Sequence, residues 1–553
     1  MDRRQFLRYT AAAAGSLAVT QLFGDTAARQ KPNIIVMLAD DMGFSDLGCF
    51  GSEIETPHLD GLAANGVRFT QFYNCARCCP SRAAILTGLY PHLAGVGHMT
   101  EKGDTPGYLG HLNDRCVTIA EVLKPAGYET IMTGKWHVGQ NQGVTPKLRG
   151  FDRSLNSAAG GFYYPSGKKS TLYRNGEEIP AGSKDIPADW YSTDLWVDQG
   201  LSFVDEARTS GKPFFWYLAH NAPHFPLQAP AKDIAKYRGK YKTRGWDKLR
   251  EDRYKKQKAL GIINERWPLS PRPDEVKAWE TLSEEEKDRF DHIMAIYAAV
   301  VDHLDQSVGR LIAGLKARGI FENTLIMFVS DNGGNAESGP NGKLLGTNPG
   351  AVNSTVFCGQ SWATLENTPF RRYKHYDHEG GISSPFIAHW PNGIAARGEL
   401  RSDAGHFIDI LPTCAAAAGA VYPTERAGNA VYPPEGISLL PAFAGTKQTP
   451  RRIFWEHEGN AAVRDGDWKL VRLGEKGPWE LYNLKDDRTE LVNLAEKEGA
   501  RAKELSAAWD AWALRVNVTP RTGHSADDDS ENEDKKTADK KSTKKKKKTT
   551  GTP

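Results

Sequence analysis

Residues 33–40 read NIIVMLAD, an unbroken apolar run ending in acid, and no other feature of the chain constrains its fold more. A strand with one face in water alternates polar and apolar residues. A run that is apolar at every position must be covered on both faces, as in a parallel sheet clothed by helices. Runs of the same kind recur at 129–135, 213–220 and 323–331. Helical patterns lie between them, the longest over 288–319, with apolar residues at threefold and fourfold spacing and Gly319 as its stop. This alternation predicts an α/β class with a doubly wound, mixed but mainly parallel sheet flanked by helices. Such sheets bind ligands beyond the carboxyl ends of their strands. Those ends carry Asp40, Asp41, Lys135, His220 and Asp331.

A chain of 553 residues exceeds one ordinary core. Four regions are expected. Residues 1–30 have a basic start, an Ala-rich apolar middle and small residues near Ala27, which reads as an export signal. The pair Arg3-Arg4 before Gln5-Phe6-Leu7 resembles a twin-arginine signal, so the export machinery is an expected partner and the location periplasmic or extracellular. Residues 31–449 are expected to form the main α/β domain. From 450 to 520 the texture changes to short strand-like segments and a helix near 496–515, a smaller α+β domain carrying an antiparallel sheet. Residues 521–553 place an acidic block before a lysine block with almost no apolar residues, a composition that predicts disorder.

The formal charge of +3 equals that of the tail alone, ten Lys/Arg against seven Asp/Glu, so the rest of the chain sums to zero. No nucleic-acid-binding field follows. No run beyond the N-terminus is apolar enough for stable membrane insertion. Seven cysteines, at 49, 75, 78, 79, 116, 358 and 414, are too few and odd in number for a disulfide framework.

The carboxylates come in two strand-end pairs, Asp40-Asp41 and Asp331-Asn332. Hard oxygen donors without an adjoining His or Cys suit Ca²⁺ or Mg²⁺ rather than Zn²⁺. The stretch NCARCCPSRAAILTG, residues 74–88, contains CxPSRxxxLTG: Cys78, Pro80, Ser81, Arg82, Leu86, Thr87 and Gly88. Pro80 suits the first position of a helix whose free N–H groups would face an anion near residue 78.

This motif resembles the signature of the type I, formylglycine-dependent sulfatases of the alkaline phosphatase superfamily, and the likeness is greatest to bacterial arylsulfatases. The resemblance implies that a separate maturation enzyme oxidises Cys78 to formylglycine, whose hydrate is the nucleophile, while Cys79 is the variable position. TGKWHVG then supplies Lys135 as a sulfate ligand and His137 as the base for the diol. NAPHFPL supplies His224, YKHYDHEGG supplies Lys374, and Arg82 holds the diol. Asp40, Asp41, Asp331 and Asn332 become the ligands of one calcium ion, completed by modified residue 78. His98, His220, His375 and His378 are read as structural. Ser383 stands where many relatives carry Arg, which leaves open any substrate contact such an Arg would make.

The implied activity is hydrolysis of aryl or carbohydrate sulfate esters, a sulfuric ester hydrolase. The open alternatives are a formylglycine-dependent phosphonate monoester or phosphodiester hydrolase, and a sulfated-glycan binder whose cysteine is never matured. Phe162, Tyr163 and Tyr164 offer either a ring-stacking surface or simple loop packing.

Overall fold

The computed structural model describes residues 30–180 and 182–519. Arg3, Arg4 and the 521–553 tail lie outside the described residues.

Eleven strands form one sheet. Its centre is Thr324–Ser330, Asn33–Ala39, Phe214–Ala219, Glu129–Lys135 and Arg153–Ser157, in that spatial order and all parallel. The four apolar runs are thus strands, each within a residue of its expected bounds. Their unbroken hydrophobicity has the expected cause. Ile34, Val36 and Leu38 join one core cluster, and Ile35, Met37 and Ala39 join the cluster on the opposite face. The long helix runs Glu284–Ala317, opened by a capping box in which Ser283 and Glu286 satisfy each other's backbone N–H groups.

Two strands extend the sheet beyond the apolar runs. Ser383–His389 lies antiparallel to both Thr324–Ser330 and Val67–Tyr73, so Val67–Tyr73 runs with the parallel core. This reversal matters for function. The end of Val67–Tyr73 and the start of Ser383–His389 meet at the edge where the parallel strands end, bringing residues 74–82 and 374–382 there together.

A separate four-stranded antiparallel sheet spans Arg452–His457, Asn460–Asp465, Trp468–Arg472 and Trp479–Asn483, with the helix Gly499–Val516 against it. Buried polar links join it to the main sheet. Trp455 Nε1 donates to the Asn74 carbonyl at 2.7 Å. Glu379 accepts from Lys469 at 2.9 Å and from Arg488 at 2.7 Å. Ser383 Oγ takes a further bond from Arg488 at 3.1 Å. Position 383 therefore belongs to this buried network, and the guanidinium there comes from Arg488. All seven cysteines are free thiols, and no helix among the described residues is long and apolar enough to cross a membrane.

Candidate active site

The helix Cys78–Thr87 begins at Cys78 itself, so Pro80 occupies its third position rather than its first. The proline still costs nothing there, because the first four N–H groups of a helix have no intrahelical acceptor. Cys75 N–H donates to Ser81 Oγ at 2.9 Å and Ala76 N–H to Asn74 Oδ1 at 2.6 Å, fixing the turn that presents residue 78. The Cys78 thiol is held well below its usual range. A hydrogen bond from Cys79 is the largest cause, with Lys135 and His137 adding to it against the opposing effect of burial.

Lys135 ends its strand, and Gly134 before it has φ +108° with a Cβ position only 1.8 Å from the Ala219 carbonyl oxygen. Glycine alone fits there. Lys135 Nζ donates to Asp40 Oδ2 at 2.7 Å. Arg82 reaches the same cluster: Nη2 lies 2.9 Å from Asp331 Oδ2 and 3.2 Å from Asp40 Oδ2, and Nη1 donates to the Lys135 carbonyl at 2.7 Å. Its fork is thus directed at carboxylates and backbone. Lys374 Nζ sits 2.8 Å from Asp41 Oδ1. His224 Nε2 faces Asp41 Oδ2 at 3.5 Å, while its Nδ1 meets the Phe225 carbonyl at 2.5 Å. His137 lies beside Cys78, and Cys78, Cys79 and His137 offer ligand atoms within 4.8 Å of one another. Asp41 and His137 both adopt positive φ, 69° and 54°, conformations that cluster at functional sites.

All ten residues expected at the site, Asp40, Asp41, Cys78, Arg82, Lys135, His137, His224, Asp331, Asn332 and Lys374, are buried and converge on this edge. Sequence reasoning missed several neighbours. Asn335 Nδ2 donates to Asp41 Oδ2 at 2.7 Å. Glu337 lies 3.5 Å from both Lys374 and Arg77. Tyr163 is fully buried and donates to the His224 carbonyl at 2.8 Å. The aromatic loop thus packs beneath His224 instead of offering Tyr163 as a stacking face. His220 is fully buried, and burial pushes its pKa down to about 3.

The carboxylates fit a hard cation. Asp40 Oδ1 and Asn332 Oδ1 are buried with no hydrogen-bond partner. Burial, with Asp40 beside it, pushes the Asp331 carboxyl well above its ordinary range despite Arg82. Asp41 goes the other way: burial would raise it, but Lys374 and His224 outweigh burial and hold it low. Three buried carboxyl groups and an amide thus converge at one sheet edge with oxygens left over after Lys135, Arg82 and Lys374 are paired, and oxygen donors of this kind bind Ca²⁺ or Mg²⁺.

Comparison with known proteins follows the same line. The family model described as Sulfatase matches residues 32–420. The chain is 36% identical to an uncharacterised sulfatase of Schizosaccharomyces pombe over 90% of its own length and 96% of that protein. It is also 36% identical to an arylsulfatase of Klebsiella aerogenes, covering 80% of this chain and 98% of the relative. Among solved structures, Ps i-CgsB in complex with k-i-k-neocarrahexaose superposes with a TM-score of 0.65 at 28% identity, over 90% of this chain and 96% of that one. A match across most of the chain to one family, joined to the convergence at the sheet edge, makes this protein a member of the sulfatase family and a sulfuric ester hydrolase.

Proposed function

We propose that the chain hydrolyses sulfate monoesters of aryl alcohols or carbohydrates, using a formylglycine made from Cys78 and one calcium ion held by Asp40, Asp41, Asp331 and Asn332, with residue 78 beside them. The observation that carries the reading is the position of Cys78: first residue of a buried helix, facing Lys135 and His137, beside a carboxylate cluster in which Asp40 Oδ1 and Asn332 Oδ1 have no hydrogen-bond partner. A hydrated aldehyde supplies two hydroxyls, one to attack sulfur and one whose deprotonation expels sulfate. A hard cation supplies charge stabilisation for sulfate oxygens.

The chain's own residues divide the remaining work. Lys135 and Lys374 keep their ammonium charge, since Asp40 and Asp41 outweigh burial, and bind sulfate oxygens. His224, donating Nδ1–H to the Phe225 carbonyl, is left with Nε2 to protonate the departing alcohol. His137 is held below its usual pKa by burial first and Lys135 next, against an opposing Cys78, so it is a neutral base near residue 78 at neutral pH. Arg82 holds Asp40 and Asp331 in place.

Mass spectrometry of the peptide containing residue 78 tests the reading, together with Cys78→Ala. Formylglycine in the native protein and no turnover in a folded variant are expected, with Cys79→Ala mild. An unmodified Cys78 would revive the glycan-binding alternative. Faster turnover of a phosphate diester than of nitrophenyl sulfate would favour the phosphodiesterase alternative. Chelation should abolish activity and Ca²⁺ restore it; restoration by Zn²⁺ alone would reject the calcium assignment.

We also place the protein outside the cytoplasm, exported through Arg3 and Arg4. Replacing both with Lys should trap the precursor, and unchanged export would point to the general secretory route.

A further inference from the structure

A second cluster of chemistry-bearing side chains lies outside the residues given roles above. His457 and Glu458 stand where the strand Arg452–His457 turns into Asn460–Asp465. His457 pairs with Asn460 across a two-residue turn in which Glu458 and Gly459 have φ 52° and 81°. Turns with two positive φ values favour Asn, Asp or Gly. Glu458 holds the first position against that preference, and its side chain is engaged.

Glu458 Oε1 lies 3.0 Å from His98 Nε2 and 3.5 Å from His457 Nε2. The two imidazole rings are stacked, with centroids 5.5 Å apart and planes 15° apart. Each of the three residues offers a ligand atom within 4.8 Å of the others. His457 is 0% exposed, and neither of its ring nitrogens has a hydrogen-bond partner. A buried polar group normally finds a partner. His98 meets Glu458 Oε1 at 3.0 Å, while His457 Nε2 reaches the same oxygen only at 3.5 Å and His457 Nδ1 has no hydrogen-bond partner. A sugar hydroxyl or carboxylate cannot reach a ring with no accessible surface, whereas a small ion at the ring-nitrogen edges beside Glu458 can.

Glu458 has an outer contact of the kind that orients a metal-binding carboxylate: its Oε2 meets His375 Nδ1 at 2.9 Å. Two imidazoles and one carboxylate select a zinc-like divalent ion over calcium. The separations of 3.0 and 3.5 Å bracket the edge of roughly 3.3 Å that follows for a tetrahedron with bonds of about 2.0–2.1 Å.

We propose that His98, His457 and Glu458 form a second cation site, taking a zinc-like divalent ion with water in the fourth position. The ion pins the hairpin of the C-terminal sheet to the catalytic part of the chain, next to His375 and hence to Lys374.

The test uses the full-length mature protein, stripped of metal, reloaded with Ca²⁺ and titrated with Co²⁺ or Zn²⁺. Wild type should take up one equivalent of Co²⁺ with the intense visible bands of a four-coordinate ion, and its Tm should rise with Zn²⁺. His457→Gln and His98→Gln should each lose that equivalent and the Tm rise while retaining calcium. Equal uptake by wild type and both variants would overturn the proposal. Zinc-edge X-ray absorption of wild type needs no variant to fold. Two imidazoles with no sulfur are expected, and a sulfur ligand would move the ion to Cys79 and overturn the assignment.

Discussion

His224 and His137 differ in what their rings touch, and the difference separates their expected phenotypes. His224 faces Asp41, which also holds Lys374, and is the proposed proton donor to the departing alcohol; His137 lies beside residue 78. A general acid matters most when the leaving group is poor and is typically worth ~10² to 10⁴-fold. His224→Ala should therefore slow an alkyl or sugar sulfate far more than nitrophenyl sulfate. His137→Ala should release one alcohol per active site in a burst and then stall, whatever the alcohol. Equal losses on all leaving groups, without a burst, would exchange or remove these roles. His137 also sets a pH limb. In the proposed base role its working form is neutral and protonation would inactivate it, and burial lowers its pKa from the ordinary 6.5. Multiple turnover should then keep at least half its rate down to a pH below that value, with the burst free of this limb. An acidic limb at or above pH 6.5 would take the base role away from His137.

At the scale of elements, the strand Glu129–Lys135 positions Lys135 only because Gly134 lets the Ala219 carbonyl come close. Gly134→Ala puts a methyl where backbone stands and a Cβ at φ +108°. Overpacking of this kind typically costs about 1–3 kcal/mol, and urea unfolding should show at least that, with turnover falling as Lys135 shifts. A stability unchanged within about 0.5 kcal/mol would mean that the strand relaxes freely. The same elements explain what was legible in advance. Strands buried on both faces announce themselves as apolar runs, and the residues proposed as catalytic sit at their ends or in motifs of fixed spacing. Val67–Tyr73 and Ser383–His389 carry Arg, Gln, Ser or Pro among their apolar residues, so no run marks them. Asn335 and Glu337 join the site through the folding of a loop without periodicity. Arg488 meets Ser383 across more than a hundred positions, a pairing no local signal encodes.

At the scale of the whole molecule, the site is assembled from short segments spread between Asp40 and Lys374 and is braced by the C-terminal sheet through Trp455 and Asn74. Every residue of the helix Cys78–Thr87 is buried, and Cys78 is 1% exposed. An enzyme that oxidises the thiol must hold it in an active site of its own, which requires this helix and the turn before it to leave the fold. Opening that costs about 2.7 kcal/mol or more leaves roughly one molecule in a hundred or fewer accessible. Maturation is therefore expected to precede folding. Unmodified folded protein, offered to a formylglycine-generating enzyme, should be converted at least ~100-fold more slowly than a peptide spanning residues 74–88. Comparable rates would mean that the helix opens at little cost. A twin-arginine signal fits this order, since that route carries chains already folded. The precursor trapped by replacing Arg3 and Arg4 with Lys should already carry the modified residue 78 and hydrolyse nitrophenyl sulfate in a cytoplasmic extract. A trapped, folded precursor with an intact Cys78 thiol would place maturation after export and reverse the sequence of events.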